Sequence, residues 1–121
     1  MRVIRTHKSH EGDRQPILYA MGNAGVGGAE QNYRISYSAM TGTGAAYEVE
    51  AALDFVSLDH EGVTNEALLA VVIDRLEGFQ AGPFNCQENA DALVAAQAAL
   101  QALHGRTLAR IARGVESQAK P

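Results

Sequence analysis

The stretch TNEALLAVVIDRLEGFQAGPFNCQENADALVAAQAALQALHGRTLARIARGVE, residues 64–116, decides the fold. Leu68, Leu69, Val72, Ile73, Leu76 and Phe79 recur at i, i+3, i+4 spacing, which lines one face of an α-helix. Thr64 offers a hydroxyl N-cap and Glu66 an acidic first turn, so a helix is predicted to start there. It must stop near Ala81, because Gly82-Pro83 cannot continue it. Asn85 followed by Glu88 resembles a capping box and opens a second helix, whose apolar stripe is Leu93, Ala96, Leu100 and Leu103. That helix is expected to run to about Val115, with Gly105 a weak point inside it. Only about four residues separate the two helices, so they must fold back as an antiparallel hairpin.

Upstream of Gly62 the periodicity changes to that of strands. Asn32 to Met40, NYRISYSAM, sets Tyr33, Ile35 and Tyr37 against Arg34, Ser36 and Ser38, a period of two that suits a half-buried strand. TGTG, residues 41–44, is a turn into YEVEAALDFVSL, residues 47–58, where Tyr47 and Val49 alternate with glutamates. An earlier apolar run, QPILYAM at residues 15–21, ends at the glycine-rich GNAGVGG. Short connections make three antiparallel strands the simplest assembly. Residues 1–14, MRVIRTHKSHEGDR, have no sustained period and are expected to form a mobile arm or a short edge strand. Strands first and helices after define an α+β fold, with a small N-terminal antiparallel sheet (15–60) packed with a C-terminal two-helix hairpin (62–117). The 121 residues suffice for one domain spanning 1–121 and leave too little for two.

Composition narrows the function. Three Phe, four Tyr and no Trp leave an aliphatic, Ala-rich core, and such helices bury little area apiece, so a homo-oligomer is expected to complete the burial. A net charge of −4 argues against long nucleic acid but permits a small anion held by a few arginines. Cys86 is the only cysteine, which excludes an internal disulfide and fits a reducing cytoplasm. No apolar run is long enough for a membrane span, and the start of the chain has none of the pattern of a secretion signal.

Arg106, Arg110 and Arg113, at i, i+4, i+7, place three guanidinium groups on one helix face, an arrangement that an anion such as phosphate would stabilise. A structural reading stands beside it, since cations near a helix C-terminus complement the macrodipole. Phe79, Pro83, Phe84 and Asn89 gather at the hairpin tip, where a nucleobase could stack and meet a carboxamide, or where the same side chains could simply pack. Asn89 and Arg106 lie roughly 25 Å apart along one helix at about 1.5 Å per residue. One small ligand cannot touch both within a protomer, so either the site is shared between antiparallel subunits or there are two sites.

Other candidates are weaker. The glycine-rich residues 22–28 lack the Gly-Lys-Ser/Thr ending of a phosphate loop. His7 and His10 have ligand-like spacing, but neither they, His60 nor His104 has a nameable partner, and no metal site or cofactor is predicted. Asp54, Asp59 and Glu61 are expected to be a solvated rim rather than an acid/base pair. There is no nucleophile elbow and no Cys/His arrangement with a nameable orienting group, so no catalytic residue is assigned and the protein is not expected to be an enzyme.

These residues resemble the phage Thoeris anti-defence 1 family over residues 62–116. The resemblance rests on GVTNE (62–66), Arg75-Leu76, Phe79-Gln80, GPF (82–84), Cys86, ENA (88–90), RTL (106–108), Arg110 and RGVE (113–116), in matching order and spacing. It implies an N-terminal antiparallel sheet, a C-terminal helical hairpin, and assembly either as dimers or as hexamers built from them. It also implies a sponge for cyclic ADP-ribose isomers made by TIR-domain enzymes, with cyclic di- or trinucleotides at separate sites in some members. In such a family the residues matching Phe79, Asn89 and Arg106 contact the ligand; Thr107, Arg110, Arg113 and Phe84 complete the candidate set here. The sequence departs from the family at a shorter connection over residues 54–62. Ala102 replaces a common Trp, Gly105 a common basic residue, and Ser117 the expected closing glycine.

The expectation is therefore a non-enzymatic phage anti-defence protein that sequesters a cyclic ADP-ribose signal in the host bacterial cytoplasm. The alternatives are a phage or prophage structural or regulatory interaction protein oligomerising through its hairpin and, third, a nucleotide-cleaving enzyme.

Overall fold

The computed structural model describes residues 1–114, which divide at Gly62 and Val63 into two compact units. The expected end of the second helix and of the hairpin, at residues 115–117, lies outside the described residues.

The first unit is a four-stranded antiparallel sheet, β1 (Arg2–Ile4), β2 (Ile17–Ala20), β3 (Asn32–Met40) and β4 (Ala46–Asp54), ordered β1-β2-β3-β4. Three strands were expected and four are present. Of the two readings of residues 1–14, the edge strand holds at Arg2–Ile4, which pairs with Ala20 to Leu18. β3 has the expected bounds. β2 is shorter than residues 15–21, and β4 stops at Asp54 instead of Leu58, because Ser57 turns back to bridge His60.

Register follows from the alternation. Tyr33, Ile35 and Tyr37 lie opposite Leu53, Ala51 and Val49, so one sheet face collects these apolar side chains while Ser36 and Ser38 meet Glu50 and Glu48 on the other. The Tyr33 and Phe55 rings meet edge-on, 5.5 Å between centroids and 69° between planes. The β3–β4 turn closes with Thr41 N–H donating to the Ala45 carbonyl at 2.8 Å, and Gly44 occupies it at φ +88°, a conformation costly for residues with a Cβ.

The second unit holds α1 (Asn65–Ala81) and α2 (Gln87–Ala112). Thr64 caps α1 as expected, its Oγ1 accepting from Ala67 N–H at 3.0 Å. Gly82 ends the helix, its N–H donating to the Phe79 carbonyl. The N-cap of α2 is Cys86, one residue after the Asn85 that the capping-box reading chose. Cys86 Sγ accepts from Asn89 N–H at 3.4 Å, whereas Asn85 donates its amide back to the Gly82 carbonyl at 2.8 Å. The carboxamide is thus spent on the end of α1 and the thiol is left to cap. α2 passes through Gly105 without a break, so the weak point costs stability rather than continuity. The helices pack antiparallel: Asn65, Leu68, Leu69 and Val72 of early α1 form an open apolar groove with Leu103 of late α2.

Little of this is buried. Among the described residues only Ala20 and Arg110 are buried, and α1 contributes no buried side chain at all. A chain with so few buried apolar groups gains little from hydrophobic transfer, about 25 cal/mol per Å² of apolar area removed from water.

Candidate functional site

The hairpin tip is built by side chains that tie the end of one helix to the start of the next. Gln80, in the last turn of α1, donates from Nε2 to the Cys86 carbonyl and accepts Cys86 N–H at Oε1, both at 3.1 Å. This reciprocal pair fixes the connection over residues 82–86. Asn89 is held in the first turn of α2: its N–H goes to Cys86 Sγ and its Nδ2 donates to the Phe84 carbonyl at 3.4 Å. The structure therefore brings Asn89 and the Phe84 backbone together, while the Phe84 ring is 72% exposed. Phe79 stands one residue before the Gln80 clasp and is 38% exposed.

One tip residue was missed as a candidate. Arg75 Cζ lies 5.6 Å from the centroid of the Phe79 ring, a cation–π pair at i, i+4 on α1. Its signal is the i, i+4 spacing of Arg75 and Phe79, on the opposite end of the hairpin from the three-arginine cluster.

At that end the three arginines do not share one environment. Arg106 is exposed and Thr107 half-buried, Arg110 is only 6% exposed, and Arg113 is the exposed C-cap of α2. Arg110 and Arg113 both have interaction partners. Because α2 is unbroken, Asn89 and Arg106 are separated by roughly 25 Å of helix. The tip and the arginine end are two places in one chain.

The glycine-rich loop has different chemistry. Its backbone does cradle an anion, but that anion belongs to the protein: the Glu30 carboxylate accepts N–H from Gly22 at 2.7 Å, Asn23 at 2.8 Å, Asn32 at 3.1 Å and Gln31 at 3.2 Å. Desolvation pushes the Glu30 carboxyl up, and the N–H groups of Asn32, Asn23, Gly22 and Gln31 more than offset this, holding it below its ordinary value. An occupied nest of this kind has no vacancy for phosphate.

The other depressed carboxylates also lie in the sheet unit. Asp54 is lowered first by the Asn32 amide, donating at 2.8 Å, against some desolvation, and then by Arg34 at 3.1 Å. The Ser57 hydroxyl lowers Asp59, and the N–H and hydroxyl of Ser9 lower Asp13. Asp54 and Asp59 are well exposed, 52% and 89%, which fits a solvated rim and not a pair split by burial for acid/base work. His7 Nε2 donates to the Pro16 carbonyl and His10 meets Ser9, so the two histidines serve the β1–β2 connection separately. Among the described residues no group of three His, Cys, Asp or Glu side chains is placed to hold a metal, and no helix is long and apolar enough to cross a membrane.

Fold and tip together define an α+β protein with an N-terminal antiparallel sheet and a helical hairpin presenting an aromatic, amide-bearing tip. The chain is similar to Thoeris anti-defense 1 of Bacillus phage SBSphiJ7, being 53% identical over 55 residues that make up 46% of this chain and 39% of that protein. This similarity bears out the resemblance drawn from the residues of the hairpin, over a matched stretch that spans well under half of the relative's length. No family model matches the sequence.

Proposed function

We propose that the protein is a phage anti-defence sponge: a non-enzymatic homo-oligomer that binds cyclic ADP-ribose isomers made by TIR-domain enzymes and keeps them from their receptors. The observation that carries this reading is the partly exposed aromatic ring of Phe79 beside the clasped tip that fixes Asn89, in a chain 53% identical over 55 residues to a protein named for anti-defence against Thoeris. A ring supplies stacking and a carboxamide supplies both a donor and an acceptor, which is what recognition of a nucleobase needs.

Helix length adds the inter-subunit element. Tip and Arg106 are too far apart for one ligand in one chain; of a shared site and two separate ones this reading takes the shared site, the nucleotide lying between the tip of one protomer and the arginine end of another, where the exposed Arg106 and Arg113, with half-buried Thr107, supply donors for its phosphates. Self-association is supported by the scarcity of buried side chains, Val94, Leu108 and Ile111 of α2 being 67%, 65% and 55% exposed in the single chain, and this reading takes it to be a dimer or a hexamer built from dimers. Cyclic di- and trinucleotides are further ligands of this reading, at separate sites. The protein acts in the host bacterial cytoplasm, where such signals are made.

Sequestration requires tight binding without turnover. Purified protein is incubated with the product of a TIR-domain enzyme, washed and heated, and the released material is separated by chromatography. Intact ligand is expected. Recovery of a cleaved product would replace the sponge with a hydrolase, and failure to retain any cyclic nucleotide would favour an interaction protein that uses the hairpin only to oligomerise.

A further inference from the structure

Phe79 and Asn89 can receive a base, but a nucleotide carries its negative charge only a few bonds away, and the arginine cluster of the same chain is roughly 25 Å along α2. Arg75 lies one helical turn from Phe79, and its guanidinium sits 5.6 Å from the ring centroid. Among the described residues no carboxylate is within ion-pairing distance of it, its neighbours Asp74 and Glu77 included. Arg75 is exposed, so the charge is available at the surface. The Phe79 ring is itself 38% exposed, so part of it is accessible beside the guanidinium.

We infer that Arg75 is an anion-binding and ring-positioning residue of the hairpin tip, so that the aromatic and the first phosphate contact of the nucleotide come from the same helix of the same protomer. The inference rests on the sponge reading and adds to it a residue that the spacing of the arginine cluster does not supply. A guanidinium against one face of Phe79 restricts the ring and leaves the rest of it for a stacked base, while its N–H groups remain free to reach a phosphate oxygen. The ligand class this pairing selects is an aromatic ring with an anion close by, as in a nucleoside diphosphate, and not a neutral nucleoside.

The test is titration calorimetry of the full chain with the cyclic ADP-ribose product of a TIR-domain enzyme, at low and at moderate salt, for the wild type, Arg75→Gln, Arg75→Lys and Phe79→Ala. Arg75→Gln is expected to weaken binding about tenfold or more and to flatten its salt dependence, as loss of one charge-assisted contact requires. Arg75→Lys, which keeps the charge, is expected to recover the salt dependence. Circular dichroism checks that each variant keeps its helices, as an exposed Arg-to-Gln change on a helix should. If Phe79→Ala abolishes binding while Arg75→Gln binds like the wild type, the Arg75 assignment is overturned and the sponge stands. Weakened binding in Arg75→Gln with unchanged salt dependence also overturns it, because the side chain then only supports the ring. Absence of binding by the wild type removes the sponge reading and this assignment with it.

Discussion

The sheet and the hairpin are stabilised by different means, and the difference separates where the protein is pH-sensitive from where it offers binding chemistry. In the sheet unit, carboxylates hold the connections: Glu30 gathers four backbone N–H groups in the β2–β3 loop, Asp54 joins Asn32 to Arg34, and Asp13 gathers Ser9. In the hairpin the ends are closed by neutral groups, the Thr64 hydroxyl, the Gln80 amide and the Cys86 thiol. Asp91 only accepts from Gln87 Nε2 on the surface of α2, and Arg75 pairs with the Phe79 ring.

The largest effect expected from breaking this division is at its boundary. A Cβ at Gly62 would lie 2.6 Å from the Asp54 carbonyl oxygen and 2.7 Å from Val56 N, backbone atoms that cannot swing aside. Gly62→Ala should cost about 2–3 kcal/mol through forced backbone displacement. Denaturant unfolding checks it, and a loss below about 0.5 kcal/mol would mean that the contact relaxes freely.

Acid should act on the sheet before the hairpin. Asp13, Glu30, Asp54 and Asp59 all have carboxyls lowered in the folded chain. A group whose folded value is depressed contributes stability that is present above its unfolded value and lost as pH falls through the folded one, so the loss sets in below the ordinary carboxylate range, about pH 4. Amide hydrogen exchange as a function of pH should reveal β2–β3 protection falling ahead of that in α1 and α2. Glu30→Gln, which cannot carry the charge, should remove part of the difference. Equal loss in both units would erase the distinction.

Two smaller changes sharpen the hairpin side. Thr64→Ala removes the α1 N-cap and should cost about 1 kcal/mol, read as a lower denaturation midpoint. Gly105→Ala, at a position where an added Cβ meets no described atom within 4 Å, should stabilise α2 by about 0.5–1 kcal/mol. A destabilised Gly105→Ala would mean that another chain packs closely there.

The hairpin was legible because its signals are local and redundant: the apolar period of α1, the Thr64 hydroxyl and the Gly82-Pro83 stop agree with one another. β3 was legible for the same reason, with alternation and the turn at residues 41–44 fixing both ends. β1 was not, since three residues carry no period and the strand exists only through pairing with β2. Cys86 was overlooked as a cap because a thiol is a weak acceptor, chosen here only after Asn85 turned back to Gly82. That the glycine-rich loop gathers its N–H groups on Glu30 is not legible in the sequence, because it depends on the loop doubling back through the Gly25 to Ala29 hydrogen bond. At the site, residue types were legible and environments were not. The spacing of Arg106, Arg110 and Arg113 says nothing of the burial of Arg110, and the i, i+4 spacing of Arg75 and Phe79 permits a pair without requiring one.

The central claim, that one nucleotide is held between the tip of one chain and the arginine end of another, is tested most directly by complementation. Asn89→Ala and Arg106→Ala are prepared separately, unfolded together, refolded as a mixture and titrated with the cyclic ADP-ribose product. Neither variant alone should bind, whereas mixed dimers should each regain one intact site, about one site in four of the statistical mixture. A mixture as inactive as its parents would place both residues at the same chain's site or at none, and would contradict the account.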